Sequence, residues 1–233
     1  MPKQIYNRFV VPTKRGRKTG SDITAVIISS SVEYRRRSLG PKLLFESPQG
    51  YPLINTILES IVLRFNGADI IFTVGFQADK IIKNRPEYGR IVENQLYETT
   101  NSIEECRLGI NNGTGEALLI VSGDMFFESF LLDSIDTKES CVIVDSHNKM
   151  PEDEIGITEV GNCVTAFSYG LPTKWCNIAY LKGKEFEMFS RFCSNRENST
   201  KFVWEGLSHV IDNGGKIKAK ENIEAKIKKI TGE

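Results

Sequence analysis

No stretch of this 233-residue chain approaches the ~20 consecutive apolar residues that a membrane-spanning helix needs. The N-terminus lacks the apolar segment of a secretory signal, so a cytoplasmic protein without a membrane partner is expected. Cysteine pairs are missing as well. Cys106, Cys141, Cys163, Cys176 and Cys193 are odd in number, scattered, and never spaced C-x-x-C. That argues against a disulfide framework or a zinc site and leaves reduced, mostly buried thiols. Net charge is absent, because 30 Lys and Arg balance 30 Asp and Glu, which argues against nucleic acid as a partner of the whole molecule. Histidine is scarce, and His209 reads as a helix-surface residue with nothing to mark it as catalytic. Internal repeats and low-complexity tracts are also missing. What remains is 40% hydrophobic and 26% charged, ordinary for a globular chain with a real core and long enough for one large domain or two small ones.

The balanced charge is unevenly spread. Lys3, Arg8, Lys14, Arg15, Arg17 and Lys18 fall in residues 1–21 without a single acid. Residues 1–22 therefore read as a basic arm, either a solvated tail or a segment that docks on a protein partner or a substrate phosphate. Residues 23–233 read as the folded domain.

Ile23 to Ile28 is a β-branched apolar run, as expected of a strand buried on both faces. Pro52 to Phe65 has helical spacing with Pro near its start. Asp69 to Val74 is a second buried strand, Ala78 to Lys83 starts a helix, and Arg90 to Glu93 can form a short strand. Ser102 to Ile110 is helical, and Ala117 to Val121 is a third apolar strand ending at Ser122-Gly123-Asp124. This alternation predicts an α/β fold with a doubly wound, mostly parallel, Rossmann-like sheet, whose ligands sit beyond the carboxyl ends of the strands. The second half predicts a small mixed β extension: strands at Cys141 to Asp145, Gly156 to Glu159, Val164 to Phe167 and Ile178 to Leu181, with helices at Phe186 to Cys193 and Phe202 to Ile211. Ile223, Ile227 and Ile230 at helical spacing predict a closing helix over Glu221 to Ile230.

Two strand ends are polar enough to carry chemistry. The loop after Ile28 holds Ser29, Ser30, Ser31, Arg35, Arg36, Arg37 and Lys42, offering backbone N–H groups and positive charge to phosphate oxygens or simply to water. After Val121 stands Asp124, a carboxylate placed either to hold Mg²⁺ or to cap a turn.

Taken in order, Ile28-Ser29-Ser30-Ser31-Val32-Glu33-Tyr34-Arg35 followed by Pro41-Lys42-Leu43 resembles the opening L-A-A-G-x-G-x-R … P-K motif of the nucleoside-triphosphate transferases that activate sugar phosphates and alcohol phosphates. Asn94 to Ser102 looks like the N-x-x-Y-x-x-T-N-x-x-S segment of bacterial choline-phosphate cytidylyltransferases, and Ser122-Gly123-Asp124-Met125-Phe126-Phe127 reproduces the family's G-D-x-x-F. The resemblance implies a Mg²⁺-dependent transfer of a nucleoside monophosphate from a triphosphate, CTP or UTP, to a small phosphorylated alcohol or sugar phosphate. It implies that the backbone of Ser29, Ser30 and Ser31 cradles the nucleotide and that Asn101 reaches the base or a phosphate. Arg35 (or Arg37) would grip the triphosphate, Lys42 would face the reacting phosphates, and Asp124, with Glu221 as second acid, would hold the metal. Glu152, Asp153, Glu154 and Trp175 fall where the family builds its acceptor pocket, with packing the alternative role for Trp175. Trp204 and Glu205 fall on the family's closing helix.

Both motif glycines are replaced, by Ser31 and Glu33, and the second acid is Glu rather than Asp. An inactive binding or structural module of the same fold is therefore a standing alternative. A nucleotide-sugar-dependent glycosyltransferase is another, although Asp124-Met125-Phe126 lacks the second Asp of a D-x-D pair.

Overall fold

A strand that is apolar at every position has no solvent face and must be covered on both sides. Ile23–Ser29 (β1) comes close to that condition, with only Thr24 and Ser29 polar and Ala25, Val26 and Ile27 all at 0% exposure. The computed structural model of the protein describes residues 22–31, 38–148 and 153–230. In it, β1 lies between Asp69–Val74 (β2) and Ala117–Ser122 (β4), parallel to both. Arg90–Glu93 (β3) adds in parallel to β2, giving the order β3-β2-β1-β4. The basic arm up to residue 21, and Glu33, Arg35, Arg37 and Glu152, lie outside the described residues.

The helices of this half are Leu53–Arg64 (α1), Ala78–Lys83 (α2) and Ser102–Asn112 (α3). α1 follows Pro52, whose missing N–H costs nothing at a helix start. Side chains alternate across a strand, so neighbouring residues of β1 report on opposite faces. Leu53, Ile54, Ile57 and Ile61 of α1 pack with Ala25 and Ile27, while Ile103 and Cys106 of α3 pack with Val26. The two helices thus cover opposite faces of the sheet. α3 approaches β1 closely because Gly109 has no side chain; a Cβ there would fall 2.4 Å from Val26 Cγ2. One turn earlier on the same helix face stands Glu105.

The second half contains Met125–Phe127 (β5), Cys141–Asp145 (β6), Ile155–Val160 (β7), Cys163–Tyr169 (β8), Thr173–Lys182 (β9), Gly183–Ser194 (α4), Val203–Asp212 (α5), Lys218–Glu221 (β10) and Ile227–Lys229 (β11). β9 runs antiparallel to β4 on one edge and to β6 on the other. β10 is parallel to β6, and β8 and β7 follow, so the main sheet has nine strands. The expected β extension is therefore the larger part of one sheet. It also closes on itself, because β7 returns to the start of β9 at Gly156↔Lys174 and Ile157↔Thr173. Five strands, β9-β6-β10-β8-β7, form that ring.

The helix expected over Glu221 to Ile230 is not formed. Glu221 ends β10, and after a turn β11 pairs antiparallel with β5. The three isoleucines do not share a face, since Ile230 is buried, Ile227 packs against the core, and Ile223 is exposed. Their spacing mimics a helix, but β5 offers backbone partners that the spacing does not reveal.

β4 and β6 are both antiparallel to β9 and thus parallel to each other. The C-terminal ends of β1, β2, β3, β4, β6 and β10 consequently point to one edge of the sheet. Polar residues are concentrated along it.

Candidate active site

β1 reaches this edge at Ser29 and Ser30, where its ladder with β4 has ended at Ile28. The amides of Ser29 and Ser30 donate to Glu105 Oε2 at 2.6 Å and 2.7 Å, and the Thr73 hydroxyl donates to the same oxygen at 3.0 Å. Burial pushes the Glu105 carboxyl up to about 7, against the downward pull of its donors on Ser30, Thr73 and Ser29. The serine hydroxyl of residue 30 meets Asn94 Nδ2 at 3.4 Å, and that amide also donates to Thr100 Oγ1 at 3.0 Å. Of the three serines expected to offer backbone N–H groups to a nucleotide, two give them to Glu105. Ser31 is exposed.

Across from this loop is Asp124. It sits just past β4, close to β1 because Gly123 leaves no side chain between them; a Cβ on Gly123 would lie 2.7 Å from Ser29 Cβ. Lys42, in a short 3₁₀ turn at Lys42–Leu44, donates to Asp124 Oδ2 at 2.9 Å, and the Ser122 hydroxyl donates to Oδ1 at 2.6 Å. The side chains of Lys42 and Asp124 are only 19% and 13% exposed. Burial works to raise the Asp124 carboxyl, but the Lys42 ammonium, the Ser122 hydroxyl and the nearby Lys229 charge together hold it below its ordinary value. Lys229 comes there through β11: it pairs with Met125, and the next amide, Ile230 N, donates to the Asp124 carbonyl at 2.8 Å.

The remaining expected residues are placed elsewhere. Asn101 occupies the N-cap position of α3, but its side chain donates to Thr200 O at 2.7 Å rather than to the helix or the first loop. Glu221 accepts from Ser146 N at 2.6 Å and from Ser146 Oγ at 3.0 Å, on a strand three places along the sheet from β4. Trp175 is 3% exposed, donates to Ile178 O at 3.1 Å, and packs edge-on against Phe167, so its ring is a core residue and not an open stacking face. Glu154 pairs with Lys174 at 2.5 Å. Trp204 meets Tyr169 edge-on, and His209 lies against Phe192 on the helix surface. All five cysteines are free thiols, and burial pushes Cys141 and Cys176 up to about 12.

Solved structures with this architecture cover nearly the whole chain. The inositol-1-phosphate CTP transferase from T. maritima superposes with a TM-score of 0.71 at 18% identity, over 91% of this chain and 90% of that one. The CTP:phosphocholine cytidylyltransferase from Streptococcus pneumoniae gives 0.71 at 17% identity, over 90% and 93%. The nucleoside-diphosphate-sugar pyrophosphorylase from Vibrio cholerae RC9 gives 0.66 at 14% identity, over 87% and 93%. The chain has the nucleotidyltransferase fold. No protein-family model matches it, and no curated protein matches it in sequence.

On this nucleotidyltransferase fold, the residues gathered at the sheet edge are Ser29, Ser30, Lys42, Asn94, Glu105, Asp124 and Lys229. Asn94 opens the segment that resembles the cytidylyltransferases, although Asn101 of that segment was the residue expected to reach the ligand; Glu105 and Lys229 were not singled out from the sequence. Lys229 was hidden by the helical spacing of the isoleucines around it. Glu105 carried a usable signal: it is a carboxylate one helical turn before Gly109, on the side of α3 that packs closely against β1. A charge on a buried helix face needs partners, and here they are the amides of β1.

Proposed function

We propose that the protein is a Mg²⁺-dependent nucleotidyltransferase that joins the nucleoside monophosphate of a triphosphate to a small phosphorylated acceptor. The observation that carries this reading is the Lys42–Asp124 pair at the C-terminal edge of the sheet. An acceptor phosphate oxygen attacks the α-phosphorus, an O–P bond forms, the bond from the α-phosphorus to the bridging oxygen breaks, and pyrophosphate leaves with that oxygen. Such a transfer needs positioning and charge neutralisation more than covalent help. Mg²⁺, when bound, would neutralise and orient the phosphate oxygens, and Asp124 is the residue that fits it. Its carboxyl is kept ionised, it stands at the ligand edge, and Mg²⁺ takes one or two carboxylates with substrate oxygens supplying the rest. Lys42, now paired with Asp124, is within reach of the same phosphates, and Lys229 adds a second cation beside them. Arg35 or Arg37 is assigned to the β- and γ-phosphates by resemblance alone. Glu221, which ends β10 on the same edge of the sheet and accepts from Ser146, is assigned as second metal acid by resemblance alone.

Two of the three neighbours are named as CTP enzymes acting on alcohol phosphates, which favours CTP over UTP and an alcohol phosphate over a sugar phosphate. Use of a free nucleoside triphosphate fits a cytoplasmic enzyme. Among the described residues no helix is long and apolar enough to cross a membrane. The inactive-module reading draws on a specific observation too: Ser29, Ser30 and Lys42 all bond to the protein's own carboxylates.

Thermal unfolding with CTP, UTP, a nucleotide sugar, Mg²⁺ and a chelator separates these readings. A triphosphate at about 100 times its Kd adds about 2.7 kcal/mol, on the order of 5–10 °C for a chain of this size. That shift is expected with CTP and should vanish with the chelator. Stabilisation by the nucleotide sugar alone would point to a glycosyltransferase, and no response to any nucleotide to an inactive module.

A further inference from the structure

Side chains alternate across a strand, so the two faces of β11 can be told apart from its own residues. Ile227 and Lys229 share one face, and Ile227 packs against the core; Lys228 points the other way and is exposed. Lys229 is therefore a half-buried cation turned inward. The backbone of β11 fixes it there. Lys229 pairs with Met125 and Ile227 with Phe127, and just before them Lys226 N donates to Glu128 Oε2 at 2.8 Å while Lys226 O accepts from Glu128 N at 3.2 Å. At the other end Ile230 is buried, and its amide holds the Asp124 carbonyl. Lys42 gives its ammonium to the Asp124 carboxylate. The Lys229 charge acts on that carboxylate without touching it, and among the described residues no carboxylate lies within ion-pair distance of its ammonium. A cation drawn partly out of water and left without a contact partner is costly, and an anion that arrives with the substrate would supply the partner.

We propose that Lys229 is a catalytic residue: its ammonium binds the triphosphate beside Asp124 and neutralises charge during transfer, so the active site is complete only with the C-terminal strand docked on β5. The proposal deepens the transferase reading and rests on it for the identity of the anion. The bonds made and broken are those given above, and Lys229 serves as a charge and hydrogen-bond donor without exchanging an atom. The positions of the two lysines favour the triphosphate over the acceptor. Leu43, next to Lys42, and Ile227, two residues before Lys229, belong to the core cluster that includes α1. Both cations thus reach Asp124 from the α1 side of the sheet and act on one ligand. The more highly charged ligand also has the greater need of a second cation, because Lys42 is shared with Asp124.

The test is calorimetry of the full-length protein with Mg²⁺ and inorganic tripolyphosphate, a probe with the triphosphate charge and no base, beside pyrophosphate release from CTP. It compares wild type, Lys229→Met, Lys229→Arg and Lys228→Met. Lys229→Met keeps the apolar stem and removes the charge. It should weaken tripolyphosphate binding by about 10- to 100-fold, the range of a lost hydrogen bond to a charged group, and lower kcat/KM by at least as much. Lys229→Arg should recover most of the binding, and Lys228→Met, on the exposed face of the same strand, should stay within about twofold of wild type. A lysine with only a structural role would lower the melting temperature and leave tripolyphosphate binding by the folded protein unchanged, and that result overturns the proposal. Should Lys229→Met not fold, acetylation of wild type mapped by mass spectrometry decides: tripolyphosphate should protect Lys229 and not Lys228, and equal reactivity of Lys229 with and without it overturns the proposal. No pyrophosphate release from any nucleotide, with tripolyphosphate binding still weakened in Lys229→Met, would end the transferase reading and keep this one. Turnover by Lys229→Met equal to wild type would do the reverse.

Discussion

Asp124→Asn is expected to reduce kcat/KM for pyrophosphate release by a factor of about 10²–10³ or more, which corresponds to roughly 3–4 kcal/mol of lost transition-state stabilisation. The substitution keeps the shape of the side chain and still accepts the Ser122 hydroxyl, but it removes the charge that would hold the cation and that Lys42 now balances. The cost to folding should be smaller. Lys42 is left facing a neutral amide in a half-buried place, worth about 1–3 kcal/mol, so the melting temperature falls by several degrees while the circular dichroism of the folded protein is unchanged. Loss of rate far beyond loss of stability is the expected signature. Turnover equal to wild type would remove Asp124 from the mechanism.

The second large effect is on stability against pH. Glu105 has an ordinary value of 4.5 and is raised to about 7 in the folded protein. A carboxyl raised on folding binds its proton more tightly in the native state, so its contribution to stability is fully present below about 4.5 and is lost as pH rises through about 7. The loss amounts to about 3 kcal/mol, taking 1.36 kcal/mol per unit. Glu105→Gln has no such titration. Denaturant unfolding of both proteins from pH 5 to pH 8.5 should therefore show wild type losing stability relative to the variant by about that much, whatever constant offset the amide introduces. A difference that stays flat across this range would mean the carboxylate is better compensated than its burial implies.

The parallel half of the sheet was legible because its evidence is local. β1, β2 and β4 announce themselves as short runs of β-branched and aliphatic residues, and α1 by its spacing behind Pro52. Asp124 was legible for a related reason, since it follows a strand end that the sequence marks, whereas Lys42 was legible only through Pro41-Lys42-Leu43, which resembles the family's opening motif. What was hidden depends on long-range pairing. β11 is strand because it pairs with β5, about a hundred residues earlier, which among the described residues has no other strand partner. The five-strand ring closes through two residue pairs at the start of β9, too few to leave a pattern. Trp175 illustrates the ambiguity of a single aromatic residue, since nothing in its neighbours distinguishes a stacking ring from one buried against Phe167. The serine loop shows a different limit. Its composition suggested free N–H groups, and only the fold reveals that Glu105, seventy-five residues away from Ser30, already holds two of them.

The central claim is that the Lys42–Asp124 edge transfers a nucleotide. It is tested most directly by pyrophosphate release from the wild-type protein, with each of the common nucleoside triphosphates against phosphocholine, other alcohol phosphates, a phosphonate and a sugar 1-phosphate, with and without Mg²⁺. The account predicts release that requires both Mg²⁺ and an acceptor, fastest with CTP and an alcohol phosphate. Absence of release in every combination, from protein that is folded and binds no triphosphate, would contradict it.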